Sequence, residues 1–289
     1  MRAVEPTSSG YVERSGIRLG YEVFGDGDPT IILLPTWTII HSRFWKMQTP
    51  YLSRHHRVIT YDGPGNGRSD RTTDPERYRS EEYAHDAAAV LDACGVDRAV
   101  LVGLSLGAKY GARFAWMFPE RTLGLVMIGP SLHLDIGLPE REAVFARLFE
   151  PSVEDAQGWD KYNVDYWYTD YADFTEFFFA QCFSEPHSTK PREDAVGWAG
   201  ETGPDVLDAE SRSPEPELGD REALAALTCP VLVIHGTGDR IAPYTAGEEA
   251  ARLTDGTLAA LAGSGHIPNV RDPVKVNLLL RDFVDRLAS

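Results

Sequence analysis

Short apolar runs alternate with longer amphipathic stretches toward both ends of the chain, and this rhythm predicts a parallel sheet flanked by helices. Residues 11–24 read as two strands around a turn at Ser15-Gly16. Residues 31–34 are continuously apolar, as a strand covered on both faces should be. Residues 57–61 form another such run, ending in the glycine-rich turn Asp62-Gly-Pro-Gly-Asn-Gly67. A helix follows over 80–94: Tyr83, Ala87, Val90, Leu91 and Cys94 share one face, Glu81 and Glu82 suit its positive N-terminus, and Gly95 ends it. Residues 99–102 and 125–128 supply strands separated by a helix that Pro119 stops, and 231–235 and 257–261 supply the last two. The final helix has Asp272 as N-cap and Pro273 at its first position.

Between Ser131 and about Arg221 the strand–helix alternation fails. This stretch is helical and aromatic, and passes through Ser213-Pro-Glu-Pro-Glu217, the expected hinge back to the core. Since parallel sheets bind ligands above the C-terminal ends of their strands, the stretch is expected to be a lid inserted after the sixth strand. A helical layer whose aromatics pack only on one another is the competing expectation. The predicted organisation is a mostly parallel, eight-stranded twisted α/β sheet (residues 1–132 and 222–289) interrupted by a helical cap over 133–221.

Composition narrows the partners. The 289 residues carry 28 Lys and Arg against 44 Asp and Glu, a formal charge of −16, and no basic run. Nucleic acids and anionic membranes are therefore not expected to bind. The longest apolar runs fall far short of a membrane span, and the first ten residues lack an apolar signal core. Cys94, Cys182 and Cys229 are odd in number and widely spaced, which suggests neither a disulfide framework nor a zinc site. A soluble, cytoplasmic protein is the expectation, with a homodimer as one assembly left open.

Candidate chemistry lies at strand ends. Gly103-Leu-Ser-Leu-Gly107 directly follows a strand and precedes a helix, the setting in which G-x-S-x-G exposes a serine on a sharp turn. Serine needs a base, and the base needs a carboxylate to hold it. His266, in Gly263-Ser-Gly-His266, follows the last strand; Asp239, in His235-Gly-Thr-Gly-Asp239, follows the one before. Both therefore lie on the same side of the sheet as Ser105. Asp135, after the sixth strand, is the alternative acid. The remaining histidines, His235 among them, show no ligand spacing, and no metal or organic cofactor is expected. The glycine-rich turn at 62–67 lacks Gly-Lys-Ser/Thr and is read as structural.

Together Gly103-x-Ser105-x-Gly107, Asp62-x-Pro-Gly-x-Gly-x-Ser69, Val231-Leu-Val-Ile-His-Gly-x-x-Asp239 and Gly265-His266 resemble the α/β-hydrolase superfamily over nearly the whole chain. The resemblance implies Ser105 as nucleophile, His266 as base and Asp239 as its orienting acid, with backbone N–H groups of Trp37 and Leu106 as the oxyanion hole. The chain departs from the family at Pro35-Thr36, where members usually have His-Gly, so Thr36 is a neighbouring candidate donor. Candidate pocket residues are Thr36, His41, Trp159, Trp167, Tyr168 and Phe178. The aromatic insertion points to an apolar or aromatic small-molecule substrate. Ester or lactone hydrolysis is the first expectation and cleavage of a diketone-type C–C bond the second. Epoxide and haloalkane hydrolysis would need aspartate at 105. A receptor that keeps the fold without turnover is the rival from outside enzymology.

Overall fold

A computed structural model describes residues 4–136, 139–214 and 216–287. Its strands are β1 (Ser8–Arg14), β2 (Ile17–Phe24), β3 (Ile31–Leu33), β4 (Val58–Tyr61), β5 (Ala99–Leu104), β6 (Thr122–Ile128), β7 (Val231–Gly236) and β8 (Thr257–Leu261). They form one sheet in the order β1-β2-β4-β3-β5-β6-β7-β8. Only the pairings of β2, with β1 and with β4, are antiparallel. From β4 onward every pair is parallel, so the chain leaves β3, β5, β6, β7 and β8 at one edge.

The central strands read as continuous apolar runs because each has two buried faces. Alternate residues feed two separate cores, as the period-2 geometry of a strand requires. Ile31, Leu33, Val100, Val102, Val126, Ile128, Leu232 and Ile234 pack on one side, against Leu280 and Phe283 of the C-terminal helix Pro273–Leu287. Ile32, Leu34, Leu101, Leu125, Met127, Val231 and Val233 pack on the other. There they meet the helices Ser80–Ala93, Leu106–Met117 and Tyr244–Leu253.

Between β6 and β7 the chain forms the helices Pro139–Ala146, Val164–Thr169, Tyr171–Cys182, Thr189–Ala199 and Pro204–Ser211. Phe174, Phe178 and Phe179 of this insertion join the same core cluster as the underside of β5 and β6. The next helix, Asp220–Ala225, straddles the boundary expected at residue 221 and packs with the sheet's other face through Leu224. Strand ends differ from the sequence reading by a few residues, chiefly because β5 runs on to Leu104 and β6 begins at Thr122. Among the described residues no helix is long and apolar enough to cross a membrane.

Leu101, fully buried in the central strand β5, tests the two-faced core. Leu101→Ala is expected to lower unfolding free energy by about 2–5 kcal/mol, read from urea denaturation of the purified protein. A loss below about 1 kcal/mol would mean that this face is not the well-packed interior described here.

Candidate active site

Ser105 joins β5 to the helix Leu106–Met117 with φ 56° and ψ −120°, a backbone region that an L-residue enters only under strain. Its neighbours explain how the turn closes. A Cβ at Gly103 would lie 2.1 Å from the Gly107 carbonyl oxygen, and one at Gly107 would lie 2.4 Å from that of Pro35. Those two glycines therefore let the turn, the helix and the loop after β3 touch backbone to backbone. The Ser105 N–H is spent on the Ile128 carbonyl at 3.0 Å. Leu106, as the first helical residue, has an N–H with no intrahelical acceptor.

Asp239 and His266 meet across the loops that follow β7 and β8. The loops are stitched by backbone: Thr237 N donates to Leu261 O at 3.0 Å and Gly238 N to Ser264 O at 2.9 Å. A Cβ at Gly236 would fall 2.2 Å from Ser264 O, so only glycine permits this approach. The Asp239 side chain has no exposure and accepts four hydrogen bonds. Oδ1 takes the amides of Ile241 (2.7 Å) and Ala242 (3.0 Å). Oδ2 takes His266 Nδ1 at 2.8 Å and His235 Nε2 at 3.0 Å. Burial alone would raise the Asp239 carboxyl, but the charge of His266 and the hydrogen bonds from His235 and His266 outweigh it and hold it far below the usual carboxylate range. An ionised carboxylate only accepts, so both rings must donate to it. The proton of neutral His266 is therefore on Nδ1, which leaves Nε2 with a free lone pair.

Ser105 and His266 line one cavity of about 440 Å³, together with Thr36, Trp37, Leu106 and Phe178. Among the described residues Ser105 Oγ makes no direct hydrogen bond to the imidazole; such bonds commonly tighten only when substrate is bound. Asp135, the alternative acid, is exposed in a bend with φ 55° and is not among the cavity residues. Trp37 packs its ring against Phe178, tilted by 41° with the centroids 4.6 Å apart. Its loop is propped from below by Asn66, whose Nδ2 donates to Thr38 O at 2.7 Å. The glycine-rich turn thus has a structural role that reaches the site. Asp62 fixes that turn by accepting the amides of Ser42 and Arg68 at 2.8 and 2.9 Å.

Four pocket candidates lie elsewhere. His41 is buried behind the wall, its ring 5.5 Å from Trp198 and its Nε2 3.4 Å from Glu201. Burial lowers its pKa below the ordinary histidine value, against the pull of Asp62 and Glu201. Trp167 is fully buried inside the insertion against Phe174, while Tyr168 is 57% exposed and donates to Asp208. Trp159 packs edge-on against Phe177 and Phe178, one layer out from the cavity.

Three contributors escaped the sequence reading. His235 shares the Asp239 carboxylate. The His266 loop is tied to the insertion: His266 N donates to Cys182 O at 3.3 Å, and Gly265 N to Glu185 Oε1 at 2.6 Å. Glu210, Lys109, Ser131 and His133 add polar groups to an otherwise largely apolar cavity wall. The four-residue spacing of His235 and Asp239 is the sequence signal for the first, and the other two depend on contacts between distant segments. No cluster suited to a metal ion is found among the described residues.

A family model described as the alpha/beta hydrolase fold matches residues 29–273. The "Putative carbamate hydrolase RutD" of Variovorax paradoxus (strain S110) is 28% identical over 278 residues, covering 94% of this chain and 97% of its own. The 2-hydroxy-6-oxononadienedioate/2-hydroxy-6-oxononatrienedioate hydrolase of Klebsiella pneumoniae is 26% identical, covering 93% of this chain and 92% of its own. The solved structure of esterase RhEst1 from Rhodococcus sp. ECU1013 superposes with a TM-score of 0.77 at 25% identity, covering 96% of this chain and 98% of that one.

The depressed Asp239 pKa sets a pH signature. Because the folded value lies below the unfolded one of about 3.9, the charged carboxylate stabilises the fold above that pH, and the contribution is lost as pH falls. Asp239→Asn is expected to cost on the order of 3 kcal/mol at neutral pH, a penalty that shrinks in acid below about pH 4. Urea melts of both proteins at several pH values check it; a penalty that does not change with pH would refute the ionised, doubly bonded carboxylate.

Proposed function

The chain belongs to the α/β-hydrolase family and is an enzyme of the hydrolase class; on that premise we propose that it is a serine hydrolase. Its proposed reaction is cleavage of a carboxylic ester or lactone of an apolar or aromatic small molecule through an acyl-serine intermediate. The observation that supports this reading best is the His266 tautomer imposed by Asp239, which leaves Nε2 free in the cavity that also holds Ser105.

In the proposed mechanism Ser105 Oγ attacks the substrate carbonyl while His266 Nε2 takes its proton. Asp239 keeps Nδ1 protonated and offsets the imidazolium charge. The carbonyl oxygen, now an oxyanion, is received by the unpaired N–H of Leu106 at the helix start and by that of Trp37. His266 returns the proton to the leaving alcohol, the C–O bond breaks, and the acyl group stays on Ser105. Water then enters, His266 removes its proton, and the second tetrahedral adduct collapses to release the acid and restore the serine hydroxyl. Each donor of the oxyanion hole is worth about 3 kcal/mol in comparable hydrolases.

The helical insertion acts in this reading as a cap. Phe178 and Phe179 form its face toward the cavity, while Phe145, Leu148 and Tyr162 extend the apolar wall. Such a wall suits an apolar acyl or alcohol group, which gains about 25 cal/mol for each Å² removed from water.

A fluorophosphonate probe should label the wild-type protein and not Ser105→Ala. On a panel of aryl esters, lactones, carbamates and vinylogous diketones, Ser105→Ala should lose about 10⁴-fold or more in kcat, and His266→Ala a similar factor. A folded wild-type protein that takes no label and turns over no member of the panel overturns the enzyme reading in favour of a ligand receptor.

A further inference from the structure

One carboxyl group in the cavity has no part in the mechanism above. Glu210 stands in the last turn of the helix Pro204–Ser211 and lines the same cavity as Ser105 and His266. That helix is a firm support. Val206 and Leu207 are fully buried, and Val206 packs with Tyr78, Tyr83 and Tyr110, the last on the helix Leu106–Met117. Just before it, Thr202 Oγ1 donates to Gly65 O at 2.9 Å. The helix backbone is therefore held in place, and the carboxyl group is tied to the Trp37 indole N–H.

The Trp37 indole N–H donates to the Glu210 carboxylate, and the Lys109 ammonium attracts it from beyond ion-pair distance. Among the described residues no cation lies within ion-pair distance of Glu210. Lys109, the cation on the cavity wall, already sits 3.7 Å from Asp220, which also takes Arg113 at 3.3 Å and the His133 amide at 2.9 Å. Glu210 is only half-buried at the cavity wall, and partial removal from water without an ion-pair partner disfavours the charged carboxylate. Burial accordingly raises the Glu210 carboxyl to about 7, although the Trp37 indole N–H and the Lys109 ammonium both favour its charged form. A ligand that brings a cationic partner would offset that desolvation. The same cavity is also lined by Phe178, Phe179, Ile241 and Ile267. The chain's charge of −16 also draws cations toward its clefts and repels anions.

We propose that Glu210 is a specificity-determining residue: its carboxylate receives an ammonium or other cationic N–H group on the substrate while Ser105 meets the carbonyl. The inference rests on the serine-hydrolase reading for the second half of that sentence only. The substrate class it names is an ester or lactone with an apolar body and a cationic nitrogen.

Two measurements test it. The first compares nitrophenyl esters of equal length, one ending in an ammonium group and one in a methyl group, at a pH well above neutrality where Glu210 is ionised. The wild type should favour the ammonium ester in kcat/KM by about tenfold or more, mostly through KM, and in Glu210→Gln that ratio should fall to near one. A wild-type ratio near one, or a ratio that survives in Glu210→Gln, overturns the proposal while leaving the hydrolase reading intact. The second is calorimetric binding of phenethylammonium and of 2-phenylethanol to the wild type and to Ser105→Ala, which needs no turnover and no folded Glu210 variant. Tighter binding of phenethylammonium by both proteins supports the proposal even if fluorophosphonate fails to label Ser105; equal or weaker binding overturns it.

Discussion

The site is organised around one buried carboxylate whose four lone-pair positions are all filled. Asp239 cannot be moved, rotated or protonated cheaply, because two amides and two imidazoles converge on it. The amides of Ile241 and Ala242 come from its own loop and fix where the carboxylate stands. The rings fix what it does: His266 is turned so that Nδ1 faces inward and Nε2 outward. His235 contributes from the end of β7 itself, the most rigid part of the neighbourhood, with its ring fully buried. A Cβ at Gly247 would lie 2.2 Å from the other nitrogen of that ring, so the helix Tyr244–Leu253 closes on it without room to spare. Asp239 is thus anchored to the sheet twice, through its loop and through His235, and the sheet's stability is transmitted to the orientation of His266.

The sheet contributes direction as well as rigidity. Because every pairing from β4 to β8 is parallel, the loops after β3, β5, β7 and β8 emerge at one edge. Four segments, from the loop of Trp37 to that of His266, can then share one small volume, provided their backbones approach closely. Gly103, Gly107 and Gly236 supply that closeness, each facing a carbonyl oxygen where a methyl group would collide. Glycine at these places is a packing requirement imposed by the site, over and above the flexibility usually credited to it.

This explains what could be read from the chain and what could not. Strand ends and the residues just beyond them are local properties, written in apolar runs that stop at glycine, so the positions of Ser105, Asp239 and His266 followed from the pattern. Trp37 and Phe178 also line the cavity, yet Trp167 and Tyr168, of the same aromatic stretch, do not. An aromatic residue in a helical insertion has three places to go: the cavity wall, the insertion's own core and the solvent. Helical periodicity separates inside from outside and says nothing of which inside. Trp167 went to the core of the insertion and Tyr168 to the surface beside Asp208. Glu210 escaped for the opposite reason: a charged residue in a Pro/Glu-rich neighbourhood reads as solvated, and only the tertiary placement of its helix puts it inside.

The insertion is coupled to the base loop, and the coupling has a mechanical consequence. His266 and Gly265 hang by their amides from Cys182 and Glu185, at the end of the helix that carries Phe178 and Phe179 on its preceding turn. A Cβ at Gly265 would meet Cys182 O, Glu185 Oε2 and Ser184 Oγ at 3.1 Å each, so the loop is also pressed against this segment. Movement of that helix away from the sheet would strip two hydrogen bonds from the loop holding His266 and open the apolar wall in the same step. Substrate that packs on Phe178 and Phe179 would do the reverse, seating the helix and with it the imidazole. Burial of an apolar group is thereby linked to the placement of His266, through backbone contacts only a few residues long. On the proposed serine-hydrolase reading, that link would give binding energy from the unreactive part of a substrate a route to the reacting carbonyl.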